Sequence, residues 1–253
     1  MRVLIVGAAG RMGRAIRGLL DEWPEAKLVG AVDRQGDASL GITTDLRAAL
    51  INAEVMIDFS SPEQTAANLA ACAEHGVAAL IGTTGLGPDV EAAAEAAAQR
   101  IPVLIAANTS IGVTLLVELV RGAARTLPAD FDIEIIEAHH RHKQDAPSGT
   151  ALALGEAAAT GRGQRLTEVT APPRVGVAPR QSGEIGFAVV RGGDIVGEHS
   201  VLFAGAGERI TLGHQATDRT IFARGALQAA SWLVGKAPGR YKMVDVIGLK
   251  SVL

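Results

Sequence analysis

The sequence predicts an α/β protein: a doubly wound parallel sheet in its first part, followed by a second, mixed α/β domain. Three observations predict it. Near-continuous apolar runs alternate with helical patterns over residues 1–109, as strands buried on both faces require. A glycine-rich turn joins the first run to the first helix. After Ser110 the rhythm changes to a long helix, a strand and several alternating segments separated by turns.

The strand-like runs of the first part are Arg2–Val6, Lys27–Asp33, Val55–Phe59, Val77–Ile81 and Val103–Ala107. Helical patterns lie between them at Met12–Leu20, Pro62–His75 and Pro88–Gln99. Ser61-Pro62-Glu63-Gln64 reads as a helix start, with Ser61 as N-cap, Pro62 in the first turn and Gln64 closing a capping box. In the second part, Gly112–Leu127 reads as a helix and Asp130–Ile136 as a strand that runs into a histidine cluster. Ala151–Thr160 is a further helix, and the Gly-, Pro- and Arg-rich stretch Gly161–Gly183 a loop. Glu184–Arg191, Glu198–Ala204 and Glu208–His214 read as consecutive antiparallel strands, and Thr220–Val234 as a last helix packing back on the first domain. The expected division is 1–109, completed by 220–253, for the first domain and 110–219 for the second.

Composition narrows the function classes. Hydrophobic residues make up 48% of the 253 positions and charged ones 20%, as in an ordinary globular protein. Only 3% are aromatic, so the core is expected to be built from Ala, Val, Leu and Ile. A net charge of −3 with scattered Lys and Arg offers no footprint for nucleic acid. No apolar run approaches the roughly 20 residues of a membrane helix. Arg11 and Arg14 interrupt the apolar N-terminus where a signal peptide would be cleaved. With one cysteine, Cys72, no internal disulfide forms, and a cytoplasmic location is expected.

Two motifs carry chemistry. Gly7-Ala8-Ala9-Gly10-Arg11-Met12-Gly13 follows the first strand and opens the first helix. Glycines there let the backbone approach a pyrophosphate, and the helix start offers unpaired N–H groups. Asp33 ends the second strand, where a carboxylate meets ribose hydroxyls; Arg34 beside it suits a 2′-phosphate instead. Gly82-Thr83-Thr84 and Ala106-Ala107-Asn108 end the fourth and fifth strands and rim the same crevice. A dinucleotide site, for NADH or NADPH, is the reading these residues support.

The second motif, Glu137 to Ala151, gathers His139, His140, Arg141, His142 and Lys143 ahead of Ser148-Gly149-Thr150 and a helix. Such density of positive charge calls for a small, multiply anionic ligand. If the strand stays extended, alternation puts His139, Arg141 and Lys143 on one face and His140 and His142 on the other. The amides of Ser148–Thr150 suit a carboxylate, and Lys143 offers it a mobile point charge. A solvated basic turn is the competing reading from charge alone. Zinc through His139 and His142 is disfavoured by the fixed cations between and beside them and by the lack of Cys, so no metal is expected.

Together with Gly7–Gly13, the run Glu137-Ala-His-His-Arg-His-Lys-Gln-Asp-Ala-Pro-Ser-Gly-Thr-Ala151 resembles the bacterial dihydrodipicolinate reductases, also described as 4-hydroxy-tetrahydrodipicolinate reductases. Gly82–Thr84, Ala106–Ser110, Arg191–His199 and the helix Ala223–Leu233 extend the resemblance nearly end to end. It implies a Rossmann domain joined to a mixed α/β domain that binds substrate and builds a homotetramer. It further implies NAD(P)H-dependent reduction of a small cyclic dicarboxylate on the diaminopimelate route to lysine. His139 is then the proton donor, Lys143 the second catalytic residue, and His140, Ser148, Gly149 and Thr150 substrate-binding positions. Gly7, Ala8, Ala9, Gly10, Arg11, Met12, Asp33, Arg34, Gly82, Thr83, Thr84, Ala106, Ala107, Asn108 and Thr109 match cofactor positions, as do Arg219 and Phe222 on the returning segment. Thr109 stands where the family usually has Phe, and Asp33 where Glu is more frequent. The alternatives are an aspartate dehydrogenase-like reductase and a non-catalytic nucleotide sensor.

Overall fold

The computed structural model describes residues 1–249, which divide into two compact units. The first comprises Met1–Ile111 and Thr220–Gly248, the second Gly112–Arg219 together with Leu249. Of the segment expected to complete the first domain, residues 250–253 lie outside the described part.

The first unit is a six-stranded sheet of β1 (Arg2–Val6), β2 (Lys27–Val32), β3 (Val55–Asp58), β4 (Ala78–Ile81), β5 (Pro102–Ile105) and, near the C-terminus, a short strand Gly239–Tyr241. All pairings are parallel, and the order is Gly239–Tyr241, β5, β4, β3, β1, β2. Strand alternation sorts side chains into two cores. Val3, Ile5 and Ile57 face α1 (Arg11–Leu19) and the long helix Thr220–Leu233. Leu4, Val6 and Met56 face the opposite layer, which holds α2 (Leu46–Leu50), α3 (Pro62–His75) and α4 (Pro88–Ala98). The chain departs in opposite directions from β1, to β2 on one side and β3 on the other, so the carboxyl ends of β1 and β3 form a switch point.

At the start of α3 the expected capping box is absent. Pro62 occupies the first turn, but the Ser61 side chain makes no capping bond and instead hydrogen-bonds Glu63. The helix closes on Gly76, whose φ of 69° is the left-handed cap conformation.

The second unit is a four-stranded mixed sheet flanked on one face by α5 (Ile111–Thr126) and α6 (Gly149–Gly161). Its strands are β6 (Asp132–His139), β7 (Ile185–Arg191), β8 (Gly197–Ala204) and β9 (Arg209–Ala216), in the order β7-β6-β8-β9. The expected succession of antiparallel neighbours holds only for β8 and β9. β7 pairs in parallel with β6, which lies between it and β8. β6 is thus a central strand paired on both edges, and its alternation turns Ile133, Ile135, Glu137 and His139 into the covered face. A one-turn helix α7 (Leu166–Val169) breaks the stretch expected to be a loop. The long C-terminal helix is α8 (Thr220–Leu233), followed by β10 (Gly239–Tyr241) and α9 (Met243–Val246). No helix among the described residues is long and apolar enough to cross a membrane.

Candidate active site

In the first unit, the β1–α1 turn is shaped to let backbone come close to a ligand. Gly7 has φ +78°, and a Cβ there would sit 2.5 Å from the Phe59 carbonyl oxygen. A Cβ on Gly13 would sit 2.3 Å from the Gly7 oxygen, so α1 approaches β1 only because position 13 has no side chain. Over this turn lies a cleft of about 740 Å³, lined among others by Gly7, Ala9, Gly10, Asp33, Arg34 and Ser60. The Asp33 carboxylate accepts the Ala9 N–H at 2.9 Å and the Arg34 N–H at 2.7 Å, which ties the end of β2 to the turn. Volume, N-terminal amides and the acidic strand end fit a nicotinamide dinucleotide.

The other proposed cofactor residues divide. Ala8 is fully buried and packs in the core, while Arg11 is exposed and Met12 half-buried on the first turn of α1. Gly82, Thr83 and Thr84 follow β4, and Ala106, Ala107, Asn108 and Thr109 follow β5, all at the carboxyl edge but outside the lining of that cleft. The Thr83 hydroxyl faces inward to Asp58, a fully buried carboxylate that also accepts from Ser60 N–H at 2.8 Å and Asn68 Nδ2 at 2.9 Å. Burial raises the pKa of Asp58 despite these bonds. The Thr109 hydroxyl donates to the Phe222 carbonyl at 2.7 Å. Arg219 belongs to the second unit, where its charge acts on His140.

In the second unit, β6 ends at His139 and the chain turns at once: the Lys143 N–H donates to the His140 carbonyl at 3.1 Å. The alternation expected for residues 141–143 therefore stops at His140, because a turn replaces the extended chain. His139, 8% exposed, points into the covered face. Its Nδ1 lies 2.6 Å from Glu137 Oε2, and Glu137 is 1% exposed. The Arg191 guanidinium grips the same carboxylate in a fork, Nη1 to Oε2 at 2.7 Å and Nη2 to Oε1 at 2.8 Å. Burial works against the charge on Glu137, but Arg191, His139 and the Ser148 N–H outweigh it and lower its pKa.

Ser148 was expected to hold substrate. Its N–H donates to Glu137 Oε1 at 3.0 Å, and its hydroxyl oxygen caps α6 at Ala151 N and meets His199 Nε2 at 2.9 Å. The residue is 2% exposed and held by these contacts, and Gly149, the first residue of α6, is exposed beside it. Outside this core, His140 and His142 stack loosely with ring centroids 6.2 Å apart. Burial, then the charges of Arg219, His142, His139 and Lys143, push the pKa of His140 down. The part due to these positive charges is one that a bound anion would relieve. Lys143 Nζ is paired with Asp145 at 2.9 Å. Among the described residues no cluster of His, Cys, Asp or Glu is arranged to hold a metal ion.

Comparison with known proteins matches both units. The model of the dihydrodipicolinate reductase N-terminus covers residues 1–109, and that of its C-terminus residues 112–247. The chain belongs to the dihydrodipicolinate reductase family. It is 50% identical to the 4-hydroxy-tetrahydrodipicolinate reductase of Ruegeria sp. (strain TM1040), with 98% of each chain covered. It is equally close to the enzyme of that name from Alkalilimnicola ehrlichii, at 50% identity over 98% of this chain and 99% of the relative. A solved dipicolinate-bound dihydrodipicolinate reductase from Paenisporosarcina sp. TG-14 superposes with a TM-score of 0.81, at 25% identity over 98% of this chain and 99% of that one.

Within the family motif, Glu137, Arg191 and His199 are the functional candidates that reading along the sequence left without a role. The usable signal was Arg191–His199 itself, a stretch shared with the family but lacking an obvious chemical purpose in isolation.

Proposed function

We propose that the protein reduces 4-hydroxy-tetrahydrodipicolinate to tetrahydrodipicolinate with NADH or NADPH, on the diaminopimelate route to lysine. The observation that carries this reading is the arrangement in the second unit of a buried histidine with one ring nitrogen tied down beside a cationic turn and a helix start. Family membership over both units supports it. Relatives that carry the substrate in their name span the same length.

When bound in the first unit, NADH or NADPH supplies the hydride. The Gly7–Met12 turn holds the pyrophosphate by its amides, and Asp33 and Arg34 meet the adenosine ribose. The residues after β4 and β5, with Phe222, serve the remainder of the cofactor, and Arg219 serves the anionic ligand of its own unit. Lys143, His140 and the α6 start at Gly149 and Thr150 bind the substrate carboxylates, with Lys143 exchanging Asp145 for substrate. His139 keeps the proton on Nδ1 against Glu137 and delivers one from Nε2 to the site where reduction has built electron density. The balance is substrate, one hydride and one proton in; product and one water out.

The outer face of the second-unit sheet leaves Ile136 and Val190 exposed at 41% and 48%. This supports the homotetramer as a further part of the proposal, and the biosynthetic role and lone buried Cys72 support a cytoplasmic location. The deciding experiment follows NADH and NADPH oxidation with 4-hydroxy-tetrahydrodipicolinate against oxaloacetate plus ammonia. Turnover restricted to the first substrate is expected. Turnover with the second alone would favour the aspartate dehydrogenase-like alternative, and none with either the sensor.

A further inference from the structure

We infer that Glu137, held by Arg191, is the positioning residue that fixes the Nδ1–H tautomer of His139. This deepens the functional reading and rests on it for the role of His139 as proton donor.

Donors and acceptors around Glu137 leave one arrangement. An ionised carboxylate only accepts. Glu137 Oε1 receives Arg191 Nη2 at 2.8 Å and Ser148 N–H at 3.0 Å, while Oε2 receives Arg191 Nη1 at 2.7 Å and faces His139 Nδ1 at 2.6 Å. Nδ1 must therefore carry a proton in both the neutral and the charged ring. Nε2 is left as the one nitrogen whose proton comes and goes. Gly197 leaves room beside that nitrogen: a Cβ added there would lie 3.1 Å from His139 Nε2 and crowd it. His199 meets the ring edge-on, with centroids 5.0 Å apart, and restrains its plane.

Arg191 makes the arrangement rigid in a second direction. Its Nη2 also donates to the Asp145 carbonyl at 2.6 Å, and the Asp145 carboxylate holds Lys143. One guanidinium thus links the carboxylate that orients His139 to the turn that carries Lys143. Register explains why Arg191 is available: it is the residue of β7 paired with His139 of β6.

The test reads the tautomer directly, in the full-length protein labelled with ¹⁵N-histidine, by long-range nitrogen–proton correlation above the ring's titration. His139 is assigned by the signal lost in His139→Asn. The wild-type ring is expected as Nδ1–H. In Glu137→Gln the amide oxygen stays with the two donors at the Oε1 position, Ser148 N–H and Arg191 Nη2, while Arg191 Nη1 gives up its Glu137 bond and keeps the Val190 carbonyl; the NH₂ group then faces Nδ1 and switches His139 to Nε2–H. In the same variant kcat falls by about 10²-fold, the scale of a misplaced general acid, while NADH affinity is unchanged. A wild-type ring found as Nε2–H, or an unswitched tautomer in a folded Glu137→Gln, overturns the inference. Should that variant not fold, the wild-type spectrum alone decides. Because the spectrum needs no turnover, a failure of the substrate assignment would appear separately, in the activity assay.

Discussion

Ser148 Oγ and His199 Nε2 lie 2.9 Å apart, both buried, and bind the start of α6 to the first half of strand β8. His199 Nδ1 is also buried and has no hydrogen-bond partner. The neutral ring that donates from Nε2 to Ser148 leaves only a lone pair unmatched there. A protonated ring would bury an unpaired N–H.

That contact makes the second unit sensitive to acid. Burial first, then repulsion from His139, depress His199 from 6.5 to about 4, against a partial pull upward from Glu137 and further repulsion from His214 and Lys143. Between these values the unfolded chain takes up a proton that the folded one refuses, so stability falls as pH drops from 6.5 toward 4, by up to about 3 kcal/mol. Glu137, depressed in the folded state, adds a loss of the same sign at lower pH still. Melting temperature against pH should show a slope in this window, flattened in His199→Gln. An unflattened slope would assign the acid sensitivity elsewhere.

The first unit should show the opposite dependence at Asp58. Its raised pKa means the folded state holds a proton more tightly than the unfolded one, so this residue contributes stability at low pH that is lost as pH rises. Asp58→Asn keeps the Ser60 N–H bond through its oxygen, and Asn68 turns its own amide to match. The variant is expected to melt a few degrees higher at pH 8, about 1 kcal/mol of stabilisation, with little gain at pH 5.

Thr109 and Gly225 form a close latch between the end of β5 and α8. A Cβ at Gly225 would fall 1.8 Å from the Thr109 carbonyl oxygen, which is backbone and has little room to move. Gly225→Ala should cost about 3 kcal/mol in urea unfolding. Thr109→Val, which removes the hydroxyl bonded to Phe222, should cost about 1 kcal/mol. Thr109 is thus tied into the fold by its hydroxyl.

On the proposed function, the Asp145 carboxylate that pairs with Lys143 competes with substrate for it. The pair is partly exposed, with Asp145 at 58%, so it contributes little, on the order of 1 kcal/mol or less. Asp145→Asn should lower the KM for the dicarboxylate by up to about fivefold, with kcat nearly unchanged. A raised KM would mean that Asp145 instead holds Lys143 in its working position.

The parallel sheet was legible in the sequence because both signals for it are local: apolar runs of strand length and the glycine turn from Gly7 to Gly13. The basic run from His139 to Lys143 stands out along the chain because it lies in one short motif. The carboxylate cage was not legible, since it depends on cross-strand register. Arg191 meets His139 through the parallel β6–β7 pairing, and His199 meets Glu137 through the antiparallel β6–β8 pairing. Spacing along the chain carries no trace of either. The contacts of Ser148 were hidden for a related reason: a serine before a helix reads as an anion-binding start, and the carboxylate that takes its N–H is eleven residues away in the chain.

The most direct measurement of the central claim compares wild type, His139→Ala and Lys143→Ala for turnover of 4-hydroxy-tetrahydrodipicolinate and, separately, for NADH binding. In each variant kcat/KM is expected to fall by about 10²-fold or more with the NADH dissociation constant unchanged. Unchanged turnover in both variants would contradict it.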